Sequence, residues 1–175
     1  SGENQMPESN VVKVKRDGSI ALLDGTSPSP RSYVVSAEPG DMNIAVPAET
    51  KNDFLDRGRL VGSVRYGDDQ AVTGSFTVYF RGGLSTDGAS AALIDILNGT
   101  AFTYATNPWA STLGANAEVK TVDLVFTIEG TVHGDASDHV CTVPDCSLEY
   151  SLVEGDPNTI SINFRSHTAV RPIFS

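Results

Sequence analysis

Five side chains of metal-binding type fall in one short stretch: His133, Asp135, Asp138, His139 and Cys141. Imidazole, carboxylate and thiolate together could hold zinc or another divalent ion. Their spacing, however, matches no closed zinc motif and lacks the glycine and terminal Glu of an EF-hand loop. Gly134-Asp135-Ala136-Ser137-Asp138 is also an ordinary turn composition between two strands. Nucleophilic chemistry fares no better. Only His133, His139 and His167 could serve as imidazole bases, and no G-x-S-x-G elbow is present. Gly82-Gly83 lacks the lysine and hydroxyl residue of a phosphate loop. Asp68 and Asp69 are adjacent, so on a strand they would point to opposite faces instead of forming a catalytic pair. The expectation is a protein that is not an enzyme and needs no metal or other cofactor. Cys141 and Cys146 are the only cysteines, and the C-T-V-P-D-C spacing by itself supplies no disulfide geometry.

Charge is the main compositional signal. The 175 residues carry 12 basic and 22 acidic groups, a formal net charge of −10. Residues 1–87 hold 9 basic and 12 acidic groups, and residues 88–175 hold 3 and 10. A basic nucleic-acid footprint is therefore absent, and an acidic surface repels polyanions. Sixteen Gly and nine Pro in a chain with persistent apolar alternation fit a turn-rich β protein better than disorder. The length suits one core, so residues 11–175 are expected to form a single domain behind a flexible segment, Ser1 to Asn10. No apolar run approaches the roughly 20 residues of a membrane-spanning helix. The first ten residues are polar, so no secretory leader is expected there.

The elements that would position any site are almost all strands. Val11–Val14 and Ile20–Leu23, either side of Asp17-Gly18, read as a first hairpin. Gly25–Pro30 reads as a loop, Tyr33–Ala37 and Asn43–Val46 as strands around Pro39-Gly40. From Pro47 to Arg59 the alternation fails and a long charged loop is expected, with Phe54 and Leu55 among Glu49, Lys51, Asp53, Asp56, Arg57 and Arg59. Such a loop is either solvated or an arm docking on another copy, with Phe54 and Leu55 as anchors. Leu60–Tyr66 is a strand. Val72–Phe80 is another, broken by a hinge at Gly82-Gly83. A short helix comes next over about 89–98, capped by Asp87 or Ser90 and stopped at Asn98-Gly99. Phe102–Thr106 reads as a short strand, and Trp109 reads as a loop plug in the core. The last third alternates clearly: Val122, Leu124, Phe126 and Ile128, then Leu148, Tyr150 and Leu152, then Ile160, Ile162 and Phe164. Gly155-Asp156-Pro157-Asn158 joins the last two strands. One-sided sheets of this kind pack as an antiparallel β-sandwich or close as a barrel.

In its order of elements the chain resembles the major tail tube protein of long, non-contractile-tailed bacteriophages. The resemblance rests on glycine-rich strands before the charged stretch Pro47–Arg59, then Val72-Thr-Gly-Ser-Phe-Thr-Val-Tyr-Phe80. The helix Ala89-Ser-Ala-Ala-Leu-Ile-Asp-Ile-Leu97 with Asn98-Gly99-Thr100 is next, and the closing pair is Cys146–Leu152 with Thr159–Phe164. It implies a β-sandwich or barrel with one flanking helix, and hexameric rings of identical copies stacked into a tube that conducts the genome. Its partners would be other copies, other tail proteins and DNA passing without tight binding. Its place would be the virion tail, after assembly in the host cytoplasm. Under that reading Lys51, Asp53, Phe54, Leu55, Asp56, Arg57 and Arg59 form an inter-subunit loop. Asp123, Glu129 and Glu149 line either the lumen or the outer surface. The alternative is a monomeric β-sandwich binding carbohydrate or protein, with Trp109, Tyr104 and Tyr66 as a stacking platform; a capsid or decoration protein is a third reading.

Overall fold

Alternation becomes pairing over most of the chain. In the computed structural model, residues 11–35, 40–81 and 91–175 are described. The expected flexible segment Ser1–Asn10, the hinge at Gly82-Gly83, the caps Asp87 and Ser90 and the first residues of the expected helix lie outside them. The strands are β1 (Gly18–Leu23), β2 (Ser32–Val35), β3 (Asn43–Ala45), β4 (Lys51–Asp56), β5 (Arg59–Tyr66) and β6 (Thr73–Tyr79). After the helix α1 (Leu93–Asn98) come β7 (Val122–Ile128), β8 (His139–Val153), β9 (Thr159–Ser166) and β10 (Ile173–Phe174). Among the described residues the protein is mainly antiparallel β with one short helix, as its pattern implies.

The main sheet runs β2-β1-β7-β8-β9-β6-β3, with β10 added to β8. Its two end strands, β2 and β3, do not pair, so the sheet is curled into sandwich-like layers and not closed as a barrel. The corner is β8. Its first half pairs with β7 on one side and β10 on the other, and its second half, Cys146–Val153, pairs with β9. Between the halves the β7 register slips at Val122/Leu124, and Asp145 takes φ 53. A bulge of this kind bends a strand and re-aims the residues beyond it. The Asp123 carboxylate fastens it by accepting the Asp145 amide at 3.1 Å.

The alternating apolar residues meet inside that curl. Ile20, Leu22, Val122, Leu124 and Val143 share one buried cluster with Phe76, Val78, Ile160, Ile162 and Phe164. Leu124 is fully buried, opposite Leu22 on β1 and Val143 on β8. Gly74 opens the path for the outermost pair: a Cβ there would fall 2.1 Å from the Asn43 carbonyl and 2.3 Å from the Phe164 ring. Only a bare backbone lets β3 approach so closely.

Three local expectations change. Val11–Val14 forms no strand, because the Asp17 carboxylate accepts the Val14 amide at 2.9 Å and holds Lys15–Asp17 in a tight 3-10 turn. The sides of β1 are taken instead by β2 and β7. The helix is shorter than expected: Ala92 precedes it with no side-chain cap, and Gly99 ends it at φ 80. Leu93, Ile94, Ile96 and Leu97 are buried, so tertiary packing against β8, not a cap, holds six helical residues in place. Finally, Phe102–Thr106 is no strand. Thr100–Thr103 makes a 3-10 turn, tied down where the Trp109 amide donates to the Ala101 carbonyl at 2.9 Å. Trp109 is buried and meets Phe102 edge-on, with centroids 6.3 Å apart, as a core plug should.

Candidate functional site

The stretch expected to be a long charged loop is instead a two-stranded ribbon. β4 and β5 pair only with each other, forming a second sheet outside the main one. The turn is made by Arg57-Gly58, at φ 49 and φ 79, which matches the twist a two-residue hairpin needs. The charges that argued for a loop sit on the strands, which water tolerates because every residue of β4 and β5 is exposed. Gly62, at φ 73, absorbs a register slip, so that Leu55 faces Leu60 while Phe54 faces Ser63.

That register sorts the ribbon into two faces, since directly paired residues share a face. Leu55 and Leu60, Asp53 and Val64, and Lys51 and Tyr66 lie on one. Asp56 and Arg59, Phe54 and Ser63, and Asn52 and Arg65 lie on the other. The first face holds an apolar set that the chain leaves in water: Leu55 is 56% exposed, Leu60 75%, Val64 49% and Tyr66 75%. Burying one such side chain is worth about 1.5–3 kcal/mol, and an isolated two-stranded hairpin is marginal in water. The seven residues expected to form an inter-subunit loop are thus gathered on one projecting element. Leu60, Val64, Arg65 and Tyr66 belong with them. Their signal is the alternation of Leu60–Tyr66, which marks a strand but does not name the charged stretch as its partner.

The root of the arm is fastened to the body. Arg171 donates to the Glu49 carboxylate at 2.6 Å and to the Pro47 carbonyl at 2.8 Å. On the other side the Gly67 amide donates to the Thr50 carbonyl at 2.7 Å, and Gln70 Nε2 to Thr50 Oγ1 at 2.8 Å. Arg171 lies just before β10, so the C-terminal strand and the arm share an anchor that the sequence, with 121 residues between Glu49 and Arg171, does not advertise.

The three acidic residues are not one cluster. Asp123 and Glu149 fall on the polar face of the curled sheet, while Glu129 lies one residue beyond β7, its amide donating to the Asp17 carbonyl at 2.8 Å. Asp123 is half-buried, and burial pushes its carboxyl above the usual value. The Asp145 amide opposes that shift and the Asp145 charge adds to it. Glu129 and Glu149 are exposed.

The metal-type side chains are occupied otherwise. Asp135 Oδ2 takes Lys13 Nζ at 2.8 Å and lies 3.0 Å from His139 Nε2. His133 Nε2 lies 3.2 Å from Asp17, and Asp138 accepts the Gly130 and Thr131 amides. Among the described residues no group of three or more His, Cys, Asp or Glu is placed to hold a metal ion. Both cysteines are free and buried, and burial, with the charges of Asp123 and Asp145, pushes the Cys146 thiol up to about 12. The stacking platform of the carbohydrate-binding alternative does not form: Trp109 and Tyr104 are in the core, while Tyr66 is on the arm. Among the described residues no helix is long and apolar enough to cross a membrane.

Over 99% of this chain and 99% of the other, the structure is similar to a chain from the cryo-EM structure of an extracellular contractile injection system, the PVC sheath/tube terminator in the extended state. The TM-score is 0.55 and the identity 11%. No family model matches the sequence, and no curated protein matches it significantly. The likeness supports a tail-type fold. It is a likeness of fold, and it does not single out the tube of a non-contractile tail that the sequence resembled.

Proposed function

We propose that this chain is a structural subunit of a tail-like particle, without catalytic activity, whose copies form hexameric rings that stack on or terminate a tube. The observation that carries the reading is the arm: an ordered ribbon with an exposed apolar face, on a fold matched end to end by a chain from a tail-like injection system. A contact in which one patch meets a different patch on the next copy generates rings or open stacks. The acidic body suits a conduit, because few basic groups are available to exchange counterions with phosphates. Asp123, Glu129 and Glu149 would then contribute to lumen or outer surface, and the arm would meet other copies and other tail proteins.

Sedimentation over a concentration series, with negative-stain microscopy of the same sample, tests this. Rings or tubes, lost when Thr50–Arg59 is deleted, are the expected result. A strict monomer at every concentration, alone and with its tail partners, overturns it.

A further inference from the structure

A second feature of the body is incomplete in the same way as the arm. Where the curl of the main sheet stays open, Met42 and Ile44 at β3 face Phe126 and Ile128 of β7, Val140 of β8 and Phe174 of β10 across a cleft of about 500 Å³. This is the size of an ordinary ligand site, enough for several aliphatic side chains. Its lining is almost wholly apolar. Phe174 on its rim is exposed, as is Ile173 beside it. The arm of the same chain does not fill the cleft, since its apolar face is open to water.

Charge says what does. Residues 51–66, the arm, carry four basic and two acidic groups, whereas the rest of the chain carries eight and twenty. A basic ribbon on an acidic body is repelled by little on a second copy and attracted by much of it. A nucleic-acid strand would also draw the cations, but it offers nothing to cover Leu55, Leu60, Val64 and Tyr66, which occupy one face. A protein partner fits both properties.

We propose that the apolar face of the arm seats in the cleft between β3, β7 and β10 of a second copy, with Leu55, Leu60 and Val64 entering it and the arm's cations set against the acidic body of that copy. The contact is head-to-tail, so each copy both gives an arm and receives one. This inference rests on the reading of the chain as a self-assembling subunit and names the receiving site.

The test places the photo-crosslinker p-benzoylphenylalanine at position 60 of the full chain, irradiates the assembled particle and maps the joined peptides. Cross-links from the arm to peptides containing Met42, Val140 or Phe174 of another copy are expected. They should fall about tenfold in Phe174→Asp, the effect of losing one buried apolar side chain from the contact. Phe174 is exposed in the free chain, so this change leaves the body folded. Cross-links to some other surface of a second copy would overturn the cleft while leaving self-assembly intact. Cross-links to DNA or to a different protein alone would overturn the occupant. Failure of the unmodified chain to assemble at all would overturn the proposed function as well.

Discussion

The arm and the β8–β9 ladder are both antiparallel pairs that gather apolar residues on one face, yet their burial is opposite. On β9, Ile160, Ile162 and Phe164 are buried against the strands across the curl. On β5, Leu60 and Val64 face water. The difference lies in what each face meets. β8 and β9 sit in the middle of a sheet whose layers cover one another, while β4 and β5 have only each other. Stability is therefore concentrated in the body, while the arm leaves its apolar face in water. The same chemical pattern serves folding in one place and is left over for association in the other.

The largest effect that could break this comparison is a matched pair of truncations. Leu124→Ala removes a fully buried side chain and should cost about 2–5 kcal/mol in the urea unfolding of the free chain. Leu60→Ala should change that quantity by no more than about 0.5 kcal/mol, because the side chain is already exposed. Equal losses would mean that the arm is part of the core after all. A smaller effect is expected at the root. Arg171→Ala removes the donor to Glu49 and Pro47, at a cost of about 1 kcal/mol or less for a partly exposed pair. Hydrogen exchange should quicken in residues 47–70 while β8 and β9 keep their protection. Uniform protection throughout would show that the arm is oriented by something else.

Two acid-base predictions concern the body alone and are smaller. The Val14 amide holds the Asp17 carboxyl below its usual value, against the opposing effect of burial and with help from His133. Its contribution is complete above the unfolded carboxylate value of about 3.9 and is lost as pH falls through the lower folded value. Asp17→Asn should flatten the acid limb of the unfolding midpoint there. Asp123 has the opposite sign, its carboxyl being raised by burial, so its charged form is disfavoured in the folded state at neutral pH. Asp123→Asn, whose amide oxygen can still accept the Asp145 amide, should raise the melting temperature slightly at pH 7 and leave it unchanged below the carboxylate range. A clear fall at pH 7 would mean that the charge itself, and not the acceptor, fastens the bulge.

Much of the body is legible because burial on one face writes period-2 alternation directly into the chain, as in Val122–Ile128 and Thr159–Phe164. Less is legible where local and long-range forces compete. Val11–Val14 has strand composition, but the nearby Asp17 carboxylate offers its amide a closer partner. The arm reads as a loop because its charges suppress alternation on β4, and nothing in the segment states that β5 will pair back onto it. Its charges and its two large apolar residues still set the segment apart from the rest of the chain. The cleft is not visible at all in the sequence, since its six apolar residues come from four separate strands or their flanks.

By itself, then, the sequence determined the class of the fold, the acidic balance and the charged half of the arm, because propensity, alternation and charge are carried by neighbours in the chain. Only the tertiary structure decided that β8 turns the corner at Asp145, that Arg171 clamps the arm root, and that the described residues leave both an apolar ribbon and an apolar cleft uncovered. These depend on which distant segments meet when the sheet curls, and what remains uncovered is fixed only once every other face has found its partner.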